Sequence, residues 1–316
     1  MDKILITGIG LVGAQLVKKI YKKQNIKPVV LDIDFHWPYL DTILDRNCFI
    51  PVKGSILDQD LVADALRRHD IQCIVHTAAV LPMRVGHDAH PGFYQVNTWG
   101  TANLMFSAKK AGIERFIMFS TNGVYQFREH KVDAPVTENF PSGLSPHNSY
   151  GNSKATAEFL LRELTGQGAF DGKIIRPGEI YGPVMSRPGE DPIYWKGMLD
   201  AAIEGKPFVL EGHPEHRLDW VYCKDIAEIA HKLILAEKTP HVEYNATYGK
   251  CIGIYDFKAQ LDSLFPGNKI ELRNCGKGGW NFPLSMERSK KDLNFTPKYN
   301  LQKGLEDYSA WYQKLR

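Results

Sequence analysis

The chain lacks the features that mark several protein classes. No apolar run approaches the ~20 residues a membrane helix needs, and because Met1-Asp2-Lys3 leads straight into Ile4-Leu5-Ile6, no signal peptide is expected. The five cysteines (48, 73, 223, 251 and 275) are scattered, odd in number and never spaced Cys-x-x-Cys. Disulfide and zinc frameworks are therefore not expected, and reduced thiols in a cytoplasmic protein are. His87, His90, His213 and His216 have spacings that ligands can have, but no acids support them, so no metal is expected. A formal charge of +3 over 316 residues is too weak to call for nucleic acid or an anionic membrane. Internal repeats and low-complexity tracts are also missing. What remains is 43% apolar and 24% charged residues, the balance of an ordinary globular chain.

Short apolar runs at 3–7, 28–32, 48–52, 72–77, 115–120 and 172–176 read as strands. Amphipathic stretches at 12–23, 58–69, 93–111 and 150–165 read as helices between them. This alternation predicts an α/β fold, a Rossmann-type doubly wound parallel sheet with ligands at the carboxyl edge of its strands. After residue 177 the pattern weakens, and proline and glycine cluster at 177–192, 205–214 and 276–283. We expect a cofactor domain over 1–177, to which 219–240 returns, and a smaller substrate-binding lobe over most of 178–316.

Gly8-Ile9-Gly10-Leu11-Val12-Gly13 lies between the first strand and helix. Gly8 permits a tight turn, Gly10 lets backbone approach a pyrophosphate, and Gly13 lets helix and strand pack closely. Asp32 ends the second strand, where its carboxylate can accept from ribose hydroxyls. Ile33-Asp34-Phe35-His36 follows without Arg or Lys, so NAD is expected over NADP. The bland alternative is a glycine turn with a capping aspartate.

Tyr150 and Lys154 are four apart and share one helix face. A neighbouring ammonium favours the phenolate and makes the phenol a usable base. Tyr299 and Lys303 repeat the spacing far from the expected site. Ser120 and Thr121 leave the end of the apolar strand Phe116-Ile117-Met118-Phe119, where a hydroxyl can steady a reacting oxygen or merely cap a turn.

Together these residues resemble the extended short-chain dehydrogenase/reductase family, also called the NAD-dependent epimerase/dehydratase family. Thr7 to Gly13 is similar to the family's glycine loop, one residue shorter, and Gly54-Ser55-Ile56 to its adenine contact with serine replacing aspartate. Val75-His76-Thr77-Ala78-Ala79 resembles the fourth strand, whose end lines the cofactor, and Asn97-Thr98-Trp99-Gly100-Thr101 the Asn-x-x-Gly-Thr motif. Arg176-Pro177-Gly178-Glu179-Ile180-Tyr181-Gly182-Pro183 resembles the segment passing the nicotinamide. The resemblance implies a catalytic set of Thr121, Tyr150 and Lys154. Implied cofactor contacts are the glycine loop with Leu11 and Val12, Asp32, Ser55, Ile56, Thr77, Ala78, Ala79, Asn97, Tyr150, Lys154 and Pro177. It also implies a homodimer through the helices near 93–111 and 150–165.

Departures bear on substrate. Asn122-Gly123 stands where the family's dehydratases carry Asp-Glu, which argues against dehydration. Glu179 occupies the position where nucleotide-sugar epimerases place Asn beside the diphosphate, and a carboxylate there repels phosphate unless it is paired or protonated. The arginine that clamps that diphosphate is shifted by one, to Arg217 in Arg217-Leu218-Asp219-Trp220. Arg84 and Arg187 are further substrate candidates, as bidentate partners for a carboxylate. The expectation is an NAD-dependent oxidoreductase that oxidises a hydroxyl of a sugar, sugar acid or similar polyhydroxy compound. The alternatives are a nucleotide-sugar epimerase that retains its cofactor and a non-catalytic NAD(P)-sensing module.

Overall fold

The strands run in chain order β1 (Ile4–Thr7), β2 (Val29–Asp32), β3 (Ile50–Lys53), β4 (Cys73–His76), β5 (Arg115–Phe119), β6 (Asp171–Pro177), β7 (Glu179–Tyr181), β8 (Pro207–Gly212), β9 (Arg217–Tyr222), β10 (Glu243–Ala246), β11 (Cys251–Gly253) and β12 (Lys269–Asn274). They belong to a computed structural model that describes residues 1–86, 88, 90–133, 135–186, 194–276 and 281–315. Seven of them form one parallel sheet in the order β10-β6-β5-β4-β1-β2-β3. The order reverses between β1 and β4, which opens a crevice at their carboxyl ends.

Period-two alternation sorts the strand side chains onto two faces. Leu5, Ile74, Phe116, Met118 and Ile174 pack under the helices Gln59–Arg68, Thr101–Ala111 and Ser149–Gly166. Ile6, Val75, Ile117 and Ile175 pack under the helices Leu11–Gln24 and Cys223–Leu235. The α/β doubly wound architecture is thus the one the alternation implies.

Three features differ in detail from the sequence reading. The helix expected over 93–111 begins as a π-helical stretch, Phe93–Gly100, before continuing as Thr101–Ala111. The seventh strand, β10, has no apolar run to announce it. Its Asn245 is fully buried because Tyr125 Oη donates to its Oδ1 at 2.6 Å, and its amide nitrogen donates to Val136 and Ser285 carbonyls. The 219–240 region divides: β9 joins β7 and β11 in a separate three-stranded sheet, whereas Cys223–Leu235 packs on the first helix, with Lys19 paired to Glu228. β8 and β12 form a third, two-stranded sheet. No helix of the described residues is long and apolar enough to cross a membrane.

Candidate active site

The crevice leads into a cavity of about 1350 Å³. At one end β1 gives way to the glycine loop. Gly8 has φ +85°, and a Cβ there would lie 2.7 Å from the Ala78 nitrogen. A Cβ on Gly13 would lie 2.0 Å from the Gly8 carbonyl oxygen, so strand and helix approach only with glycine at that position. Gly10 is different: a Cβ there would meet no protein atom within 4 Å. It opens the helix Leu11–Gln24, whose first turn has neither a side-chain cap nor an acid. The helices starting after Asp58, Asn148 and Asn300 are each capped by those side chains. The uncapped turn leaves backbone donors and a positive dipole end at the cavity, which suit an anion. Asp32 lines the same region, its carboxylate accepting from Ile9 N at 2.6 Å and Asp34 N at 3.1 Å.

Of the residues nominated from sequence, Gly8, Gly10, Leu11, Val12, Gly13, Asp32, Ser55, Ile56, Thr77, Ala78, Ala79, Arg84, Thr121, Asn122, Tyr150, Lys154, Pro177 and Glu179 line this cavity. Thr77 Oγ1 donates to the Thr7 and Gly8 carbonyls at 2.9 Å and ties β4 to the glycine loop. Asn148 both caps the Tyr150 helix, accepting from Gly151 N at 2.8 Å, and donates to the Gly123 carbonyl at 2.9 Å. One side chain thereby fixes the Thr121 turn against Tyr150. Thr121 Oγ1 accepts from Gly123 N at 3.1 Å, so the hydroxyl does cap a turn while it lines the cavity.

The Tyr150 ring stands edge-on to Phe93, and its hydroxyl has no hydrogen-bond partner among the described residues. Burial, then the Glu179 carboxylate, raises its pKa above the usual phenol value. Lys154 is buried and donates to the Phe119 carbonyl at 2.8 Å. Burial lowers its pKa to about 8, against the opposing pull of Glu158. Glu158 is itself buried and bridged by Arg176 at 2.6 Å. Burial also raises Glu179 to about 7.

Two nominated residues lie elsewhere. Asn97 is fully buried and lines no part of the cavity; it accepts from Val80 N at 2.8 Å and donates to Val80 O at 2.9 Å, bracing the loop after β4. Arg217 faces away from the cavity because it sits within β9, where neighbouring side chains alternate, and its guanidinium pairs with Asp256 at 2.6 Å. Arg187 and His87 lie outside the described residues. Two residues named in the sequence reading have settings that only the structure shows. Ser120 Oγ is buried at the cavity without a hydrogen-bond partner. His76, held between Thr7 and Thr101 hydroxyls at 2.6 and 2.8 Å, is kept neutral by burial, which lowers its pKa to about 3. Ser120 belongs to the Ser120-Thr121 pair and His76 to the fourth-strand motif, but no spacing announces an orphaned hydroxyl or a histidine held between two threonines.

A family model, NAD dependent epimerase/dehydratase, matches residues 4–246. Among curated proteins, the trifunctional UDP-glucose 4,6-dehydratase/UDP-4-keto-6-deoxy-D-glucose 3,5-epimerase/UDP-4-keto-L-rhamnose-reductase of Arabidopsis thaliana is 28% identical over 98% of this chain. The chain spans 47% of that relative's length. Among solved structures, the UDP-glucose 4-epimerase of Thermotoga maritima with UDP-glucose superposes with a TM-score of 0.85, at 22% identity and 99% coverage of both chains. The dTDP-glucose 4,6-dehydratase of Bacillus anthracis in complex with NAD gives 0.82, at 24% identity, covering 99% of this chain and 97% of the other.

Proposed function

The chain belongs to the NAD dependent epimerase/dehydratase family, and we propose that it is an NAD-dependent oxidoreductase acting on a hydroxyl of a sugar-like substrate. The observation that carries the reading is the pairing, in one cavity, of an uncapped glycine-loop helix with an unpartnered tyrosine hydroxyl. The first turn of Leu11–Gln24 and the open space at Gly10 suit a pyrophosphate, Asp32 suits the adenosine ribose, and the orphaned Ser120 hydroxyl suits a further polar contact. Ser55, Ile56, Thr77, Ala78, Ala79 and Pro177 complete that face, and residues 1–177, Cys223–Leu235 and β10 make up the cofactor domain in this reading.

Bound NAD supplies the acceptor for a hydride. Tyr150 Oη takes the proton of the substrate hydroxyl. Thr121, whose oxygen already accepts from Gly123 N, turns its proton to the reacting oxygen. Lys154, fixed on the Phe119 carbonyl, lies one helical turn from the phenol, and its ammonium together with the positive charge of oxidised NAD would favour the phenolate against the burial and the Glu179 carboxylate that raise its pKa.

The partner is a second copy of the chain. Trp99, Phe106 and Phe159 are 64%, 48% and 68% exposed on the two helices of the sequence reading, and Trp99 and Phe106 are seven apart on one face. Large exposed aromatics of this kind mark an association surface. Five unpaired cysteines support a reducing, cytoplasmic setting.

Replacing Tyr150 by Phe tests the reading. Turnover falls by about 10²–10⁴-fold, the worth of a positioned proton acceptor, and calorimetry finds NAD affinity unchanged. Full turnover in that variant would remove Tyr150 from the mechanism.

A further inference from the structure

Beyond β6 the cavity has a largely apolar wall, made by Leu218 and Trp220 of β9, Ile252 of β11 and Phe257 of the helix Ile254–Leu264. Two polar groups border it. Glu179, the first residue of β7, lines the cavity and pairs in register with Trp220. Trp195 lines it from the helix Tyr194–Glu204. Ring contacts tie these elements together. Tyr181, two residues along β7 from Glu179, stands edge-on to Trp195 at 6.3 Å and to Trp220 at 5.9 Å. Tyr194 stands edge-on to Trp220 at 6.1 Å.

Trp195 is 1% exposed, yet its Nε1 has no hydrogen-bond partner. A buried donor without an acceptor is rare, and a tryptophan N–H ordinarily finds one. The indoles of Trp220 and Trp311 do so, donating to the Ile252 carbonyl at 3.1 Å and to Thr42 Oγ1 at 2.9 Å. Trp195 therefore brings an unused donor to a residue that lines the cavity. Glu179 supplies the complement, because a carboxyl group keeps an acceptor oxygen whether or not it is protonated. Its charge also reaches the proposed base: burial, then Glu179, raises the phenols of both Tyr150 and Tyr194. An indole donor and a carboxyl acceptor together match a hydroxyl, which accepts one hydrogen bond and donates another.

We propose that Trp195 and Glu179 read a second hydroxyl of the substrate, distinct from the one that Tyr150 deprotonates, and so select a polyhydroxy compound over a simple alcohol. The Trp195 N–H donates to that hydroxyl oxygen, and the hydroxyl donates to Glu179. This rests on the reading of the cavity as an NAD-dependent alcohol site, and it makes both side chains specificity residues rather than carriers of the reacting proton.

NMR on the full chain with NAD tests it. The probes are cis-1,2-cyclohexanediol and cyclohexanol, which differ only in the second hydroxyl. Saturation transfer to the diol is expected to be roughly tenfold stronger or more, as for a site built to bond a hydroxyl. The Trp195 indole N–H resonance, assigned by its loss in Trp195→Phe, is expected to shift with the diol and not with cyclohexanol. Glu179→Met is expected to lose the preference, and Glu179→Gln, which keeps an acceptor, to retain it; these two variants decide the matter should Trp195→Phe fail to fold. Equal signals from the two probes, an unmoved Trp195 resonance or an unchanged preference in Glu179→Met would overturn the proposal. The NAD resonances are read in the same samples, and missing NAD saturation would instead overturn the cofactor reading on which it rests.

Discussion

Lys154 Nζ donates to the carbonyl oxygen of Phe119, the last residue of β5, at 2.8 Å. The bond crosses from the Tyr150 helix to the strand that delivers Ser120 and Thr121. It gives a buried ammonium one fixed position beside the proposed base.

Replacing Lys154 by Met leaves the Phe119 carbonyl without its donor and the phenol without its cation. Turnover is expected to fall by about 10²-fold or more. Steady-state rates with circular dichroism check this: a folded, fully active variant would show that the ammonium is structural only.

Gly10 and Gly13 separate binding from folding. Gly10→Ala meets no protein atom within 4 Å, so the fold keeps its melting temperature and NAD binding weakens by at least tenfold. Gly13→Ala places a Cβ 2.0 Å from the Gly8 carbonyl oxygen, so it lowers the melting temperature by itself. Thermal melts with and without NAD compare them. Unchanged NAD affinity in Gly10→Ala would remove the loop from the cofactor site.

Glu179 titrates at about 7 in the fold against 4.5 ordinarily. Between those values the folded chain holds more protons than the unfolded one, so stability falls as pH rises through that window and the loss is complete above it. Glu179→Gln removes the loss. Its melting temperature is expected to match the parent near pH 4.5 and to exceed it increasingly towards pH 8. A constant difference across that range would show that Glu179 is solvated like a surface carboxylate.

The Trp99 and Phe159 surface predicts oligomeric state. Trp99→Glu puts a charge in place of one of these exposed aromatics. Sedimentation is expected to show a dimer for the parent chain and a monomer for the variant. A monomeric parent would contradict the dimer.

The sheet was legible because six of its strands are apolar runs of the right length between amphipathic stretches. β10 was not, since Glu243 and Asn245 take half of it and their burial depends on partners 40 to 120 residues away. The glycine loop and the Tyr150–Lys154 pair could be read because their geometry is local, one loop and one helical turn. The setting of Asn97 was not legible for the opposite reason: its amide is engaged by Val80 and Ser153, which lie 17 and 56 residues away. The Arg217 shift was visible, but only the strand around it shows which face it takes. The apolar wall joins residues from β9, β11 and the helix Ile254–Leu264, and no single window of sequence contains it.

Hydride transfer is read most directly from NADH absorbance. The purified protein is incubated with NAD and a panel of neutral sugars and alcohols, sugar acids and nucleotide sugars. NADH accumulating with a sugar, sugar acid or similar polyhydroxy compound, and none with the Tyr150→Phe variant, is the expected result. No NADH from any compound, with a nucleotide sugar converted to its stereoisomer, would contradict it and identify an epimerase that keeps its cofactor.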